Sequence, residues 1–227
     1  MPVHTDITVT HNRPDLIYID KLNNKTYLID ITVPSDYNIG AKEIEKLSKY
    51  HLLKTEVSRL WNTQVTVIPI VIGSTGVVAK SLKRYIDKLD ANIDITILQK
   101  QAAIHTSIII KLSLKWIKKQ QISSNLESSI FAIQDNAVMI WQHQRDILKE
   151  SVDGKCRLCA CKDETVQHIL SGCEKLAGTH YVKRHNNLVQ YVYWCLAKKH
   201  RIVVSSLWWK ETMIQPQVKE NNSTKIL

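Results

Sequence analysis

The chain has 227 residues, 44% of them apolar and 23% charged, and a formal net charge of +10. This is the composition of a globular protein of one large domain or two small ones. No apolar run approaches the roughly 18–20 residues of a membrane span, and no secretory signal is expected because the first residues lack an apolar core. The basic excess is spread over both halves of the sequence. A generally cationic surface is therefore expected, with a polyanion as partner, DNA first and RNA second.

The first segment reads as strands. Asp15–Asp20 and Thr26–Val33 are apolar, β-branched runs, and Asn23 and Asn24 lie at the centre of the Lys21–Lys25 turn between them. They are expected to pair as a β-hairpin that ends at Pro34, which cannot donate to a ladder. A helix is expected from Ala41 to Trp61. Ile44, Leu47, Leu53, Val57 and Leu60 would form its buried stripe, and Lys42, Lys46 and Lys49 recur on another.

Gln64–Gly73 reads as a strand covered on both faces. Gly73–Gly76 is a turn and not a P-loop, since the Gly-Lys-Ser/Thr ending is missing. Helices are expected over Ala79–Leu89 and Ile95–Lys119, with four lysines around Trp116 at the end of the second. Gln120–Ser129 reads as a polar linker, Ile130–Glu150 and His180–His200 as helices, and Gln215–Leu227 as a loose polar tail. Trp141, Trp208 and Trp209 could stack on unpaired bases or pack in the core. The expected units are an α/β core (1–119), a linker and helix (120–150), a cysteine-rich unit with its following helix (151–200) and a tail (201–227).

Four of the five cysteines fall in one short window with a histidine, as Cys156-x2-Cys159-x8-His168-x4-Cys173. Two thiolates, an imidazole and a third thiolate can surround a tetrahedral Zn2+. Four protein ligands leave no open position, so the expected zinc is structural. Cys161 is a spare thiol inside this knuckle and could replace one of the four. Cysteines in knuckle spacing point to metal in a reducing compartment and not to disulfides, which is compatible with the nucleus.

The hairpin would also bring Asp15 towards Asp30. Paired carboxylates suit a hard cation such as Mg2+, which keeps waters and phosphate oxygens in its remaining positions. A lysine from the next helix could face the same spot and hold a phosphate.

Arg13-Pro14-Asp15 followed by Asp30-Ile31-Thr32 resembles the PD-(D/E)xK nucleases. The chain is most similar to the restriction-like endonuclease region of non-LTR retrotransposon polyproteins. Arg13–Asp20, Leu28–Pro34, Glu45–Tyr50, the knuckle with Asp163, Glu164 and Thr165 before His168, and Lys183–Asn186 all carry the likeness. The resemblance implies a restriction-endonuclease-like mixed sheet flanked by helices, with a zinc knuckle, and a metal-dependent endonuclease that nicks DNA at an insertion site. Asp15 and Asp30 would hold Mg2+. The family's lysine, two residues after the second acid, is here Thr32. Members of the retrotransposon group can carry that lysine on the following helix, where Lys49 is the preferred match and Lys46 the other. Arg184, His185 and Lys42 are the expected nucleic-acid contacts.

In that family the knuckle and the Arg-His-Asn helix precede the hairpin, and here they follow it. The order reads as a permuted unit or as a span across two tandem copies. If the unit closes, the 180–200 helix must pack on the sheet of residues 13–73. No paired-aspartate polymerase turn is present. The alternative function is a catalytically inactive, zinc-containing nucleic-acid-binding remnant.

Overall fold

The computed structural model describes residues 2–113, 126–135, 137–211 and 218–227. The hairpin forms as expected. β1 (Leu16–Asp20) pairs antiparallel with β2 (Lys25–Thr32), in a register that sets Leu16 opposite Ile29. Asp20 closes the turn by accepting bonds from the backbone and side-chain nitrogens of Asn23, and Asn24 takes a positive φ of 51°. Asparagine tolerates that left-handed conformation better than most residues.

The expected long helix is two. α1 (Ile39–Lys49) and α2 (His51–Trp61) meet at Tyr50, whose φ and ψ of −98° and 8° interrupt the helix. The break resets the phase of the buried face. Leu53 and Val57 are buried as expected, but Ile44 is 70% exposed and Leu47 is exposed as well. The single-helix stripe is corrected because Tyr50 is buried under the sheet and α1 swings to aim Lys46 and Lys49 at the end of β2.

β3 (Gln64–Val71) then pairs in parallel with β2, the crossover being made by α1 and α2. α3 (Ser81–Lys88) and α4 (Ile95–Ser113) follow. The remaining lysines around Trp116 and the first part of the linker, residues 120–125, lie outside the described residues. The rest of the expected linker is helical, in α5 (Leu126–Gln134). The helix expected over Ile130–Glu150 is only the end of α5 and the short α6 (Trp141–Asp146). After the knuckle come a wide helical turn (His168–Gly172), the short α7 (Glu174–Leu176), a second wide turn (Ala177–Tyr181) and the long α8 (Val182–Lys199).

The tail is not loose where it is described. β4 (Lys219–Glu220) and β5 (Thr224–Ile226) complete a five-stranded mixed sheet in the order β3-β2-β1-β5-β4. β5 is held by specific bonds. The His200 ring is within 2.8 Å of the Tyr18 hydroxyl through Nε2 and within 2.8 Å of the Thr224 hydroxyl through Nδ1, and Asn221 donates to the His200 carbonyl. A polar composition hid this strand because its two inward residues, Thr224 and Ile226, are enough to fill its place.

The result is an α/β fold with helices on both faces of the sheet. Alternation along the strands sorts the core. Tyr18, Ile29, Ile31, Ile68 and Ile70 face α3, α4 and α8, where Leu188, Val192 and Leu196 pack on them. Ile17, Leu28, Val65 and Val67 face α2. The expected closure of α8 onto the sheet therefore holds. Val3 and Leu227 lie at the same second cluster. A third cluster joins the end of α4 and α5 to Cys156, Ile169, Leu170 and Cys173 of the knuckle. Among the described residues, no helix is long and apolar enough to cross a membrane.

Candidate metal centres at the sheet end and the knuckle

At the end of the sheet where β1 begins and β2 finishes, one further step of the hairpin register places Asp15 opposite Asp30. Even-numbered side chains of β2 face α1 and α2, so Asp30 points beneath Tyr50 and is only 3% exposed. The Tyr50 hydroxyl donates to Asp30 Oδ1 at 2.5 Å and lies 3.0 Å from the Arg13 carbonyl. Burial, and then the bond to Asp30 and the charges of Asp30 and Asp15, hold the Tyr50 phenol far above its usual range, so it remains a donor.

Lys46 Nζ is 2.7 Å from Asp30 Oδ2, and Lys49 Nζ is 3.6 Å from Oδ1. The first contact is an ion pair without hydrogen-bond alignment: Oδ2 is buried and no donor is directed at it. Lys46, and not the preferred Lys49, makes the close approach, while Lys49 also lies over the Tyr50 ring.

Asp15 is half-buried. Its Oδ2 accepts from the Ile31 backbone N–H at 2.6 Å and meets His185 Nε2 at 3.0 Å. No bond among the described residues reaches its Oδ1. Asp15 therefore keeps one oxygen without a partner among the described residues, while Asp30 Oδ2 faces only the Lys46 ammonium. Burial alone would lower the His185 pKa, but the Asp15 bond and charge, the Asn186 side chain and the Asp30 charge outweigh it and the pKa is raised. A raised value means that the His185–Asp15 pair contributes stability that is full below the ordinary imidazole pKa of 6.5 and is lost as pH rises through the folded-state value. His185→Gln is therefore expected to lower the melting temperature in mildly acidic buffer, with the deficit shrinking as pH is raised. A deficit independent of pH would contradict the pairing.

Arg184 is corrected. It was expected on a nucleic-acid surface, but it is 2% exposed. Its guanidinium donates to the Thr106 hydroxyl, the Val33 carbonyl and the Leu170 carbonyl at 2.9, 3.2 and 2.9 Å. Burial pushes its pKa down to about 10 against the opposing effect of Tyr181. It ties the end of β2 to the knuckle and to α4. Arg184→Ala would leave two carbonyls and a hydroxyl without their donors, and a cost of about 3 kcal/mol or more is expected in denaturant midpoints. Lys42 remains on the surface, paired with Glu45 at 2.5 Å.

In the knuckle, Cys156, Cys159, His168 and Cys173 place one ligand atom each within 4.8 Å of one another. Cys156 and Cys173 Sγ are 4.0 Å apart, and Cys159 Sγ is 3.3 Å from His168 Nε2. Bond lengths of about 2.0–2.3 Å in a tetrahedron give ligand separations of about 3.5–3.8 Å, so the four residues fit zinc. Cys161 is exposed, directs its thiol to the Cys159 carbonyl and stays outside the set. Burial works against ionisation of Cys159, but backbone N–H groups of Cys161 and Lys162, then His168, bring it down to about 6. Burial and the neighbouring thiols push Cys173 up to about 11, the Lys175 N–H opposing them.

No family model, curated protein or solved structure matches this chain.

The sequence assigned no role to the partners that hold both centres, although Glu164 was named in the resemblance. Glu164 is buried and accepts from the Arg157 backbone and guanidinium and from the Trp141 N–H, which fixes the mouth of the knuckle. Arg157 in turn covers the Trp141 ring, so that tryptophan packs and is not a free stacking surface. Trp208 packs edge-on against Tyr191, while Trp209 is exposed beside it. Tyr50 was legible only as the residue after Lys49.

Proposed function

We propose that this chain is a metal-dependent DNA endonuclease of the restriction-like kind carried by non-LTR retrotransposons, and that it nicks DNA by phosphodiester hydrolysis. The observation that carries the reading is the meeting of Asp15, Asp30, Lys46 and His185 at one end of the sheet, the two carboxylates side by side and a lysine ammonium against one of them. The paired carboxylates are of the kind that suits a hard divalent cation: Asp15 Oδ1 is open to it, and Asp30 Oδ2 would exchange its contact with the Lys46 ammonium for the ion. Mg2+ there would supply Lewis acidity and a bound water of lowered pKa.

The chain's own groups have separate tasks. Tyr50 fixes the rotation of Asp30, and the Ile31 N–H fixes that of Asp15. Lys46 carries the positive charge nearest to Asp30 and can neutralise charge developing on a phosphate. His185 orients Asp15 from the opposite side of the sheet. The Cys3His group could hold a structural zinc, and the net charge of +10 favours DNA as the partner, with the nucleus as the proposed place of work.

The test is conversion of supercoiled plasmid to nicked circle by zinc-loaded protein when Mg2+ is supplied, with none when Mg2+ is left out. Folded, zinc-loaded protein that binds DNA but never nicks it would replace this reading with that of an inactive binding remnant.

A further inference from the structure

Between the end of β2 and the knuckle lies a cleft of about 440 Å3 that neither metal centre uses. One wall is Asp36 and Tyr37, which connect β2 to α1, with Thr75 from the turn after β3. The other is Gln134 at the end of α5, Gln142 in α6 and Gln167 beside His168. The cleft mixes polar and apolar groups, and its one charge is the Asp36 carboxylate, which no basic side chain among the described residues pairs. The carboxylate of Asp36 is taken up by the Thr75 N–H at 3.2 Å and the Thr75 hydroxyl at 2.5 Å. Gln134 donates to that same hydroxyl at 3.3 Å. The side-chain amides of Gln142 and Gln167 have no partner among the described residues, and the Tyr37 ring stands 85% exposed at the mouth.

The two walls are fixed relative to one another. Arg184 bonds the Val33 carbonyl on one side and the carbonyl of Leu170, a lining residue, on the other. A site whose only charge is a hydrogen-bonded carboxylate repels a phosphate, while its free amides suit a nucleobase edge. An amide offers a donor beside an acceptor, which matches N7 and the exocyclic amine of adenine. We infer that this cleft reads one base of the DNA, through Gln142 and Gln167 and with adenine preferred, while Tyr37 supports it at the mouth.

The inference rests on the nuclease reading only for the position of that base. From Tyr37 to Lys46 the chain advances nine residues, mostly along α1. At about 1.5 Å per residue this spans roughly 14 Å, or about four base steps of 3.4 Å. The base read lies within about five nucleotides of the phosphate at Asp30, and the exposed face of α1 with Lys42 and Ile44 lies along the DNA between them.

The experiment is selection of bound sequences from a random duplex library by the full zinc-loaded chain without Mg2+, so that nicking plays no part. The wild type is expected to enrich adenine at one position. Gln142→Ala and Gln167→Ala are expected to reduce that enrichment at least fivefold, with zinc content and melting temperature unchanged. Gln167→Glu is expected to move the preference towards cytosine, whose amine donates to a carboxylate. Equal enrichment in all variants, no preference in the wild type, or no binding would each overturn the inference. A glutamine-dependent preference without Mg2+-dependent nicking would sink the nuclease reading and leave the cleft. Nicking with no glutamine-dependent preference would do the reverse.

Discussion

Removing zinc is expected to unfold residues 151–181 and to loosen the helices packed on them. Cys156 and Cys173 are buried in the same apolar cluster as Ile109, Ile133, Ile169 and Leu170. That cluster is small, and its polar neighbour Glu164 is buried beside it, with Arg157 partly buried over that carboxylate. Without a cation the three thiol ligands and the imidazole have little to hold them at 3.3–4.0 Å spacing. Structural zinc contributes roughly 10 kcal/mol or more to folding in isolated knuckles. The wild type is expected to release one zinc per chain to a colorimetric chelator, with a large fall in melting temperature. Cys173→Ser is expected to purify without zinc and to show the same low melting temperature. Cys161→Ser is expected to keep its zinc, since its thiol points away from the other four ligands. Loss of zinc in Cys161→Ser together with retention in Cys173→Ser would contradict this ligand set.

Lys46→Ala is expected to damage both stability and activity, and to separate the two lysines of α1. Asp30 is a buried carboxylate whose Oδ2 has Lys46 as its close charge partner, 13% exposed in its side chain. Removing one member of such a pair leaves the other charge uncompensated at a cost of about 3–5 kcal/mol. Tyr50 still donates to Oδ1 and Lys49 still stands 3.6 Å from it, and both soften the loss, so a value at the low end, about 3 kcal/mol, is expected from denaturant melts. Mg2+ can supply the missing positive charge. Millimolar Mg2+ is therefore expected to restore much of the stability of Lys46→Ala while raising the wild type less. Nicking is expected to fall about 100-fold or more in Lys46→Ala. Lys49→Ala is expected to lose less of both, because Lys49 stands 3.6 Å from Asp30 and rests on the Tyr50 ring. Equal losses in the two variants would contradict the assignment of the closer lysine.

The hairpin and the knuckle were legible because each is encoded locally. Two β-branched runs around Asn23 and Asn24 specify their own pairing, and the four residues that could hold a metal fall within a span of 18 residues. The packing of α8 on the sheet followed only from the resemblance, since nothing local joins Leu188 and Val192 to Ile29 and Ile31.

What was missed depends on contacts distant in sequence. Tyr50 breaks a helix that periodicity reads as continuous, and the reason is a bond to Asp30 on another element. Arg184 is an arginine beside a histidine, a pattern that suggests a surface. It is buried because carbonyls of Val33 and Leu170 converge on it from two other segments. The final strand has few apolar residues, and its order comes from the His200, Tyr18 and Thr224 network. Of the candidate nuclease site, the two aspartates and the lysine stripe were visible in sequence. The hand-over of Asp15 to His185 and the choice of Lys46 over Lys49 were not, because both need the three-dimensional meeting of β1, α1 and α8.

The most direct test of the central claim is the rate of Mg2+-dependent plasmid nicking by the wild type and by Asp30→Ala, prepared side by side at equal zinc content. The expected result is a loss of roughly 1,000-fold or more in Asp30→Ala, in line with several kcal/mol of metal-assisted stabilisation, with the fold and its zinc intact. Nicking at the wild-type rate by Asp30→Ala would contradict the placement of the catalytic metal at the end of this sheet.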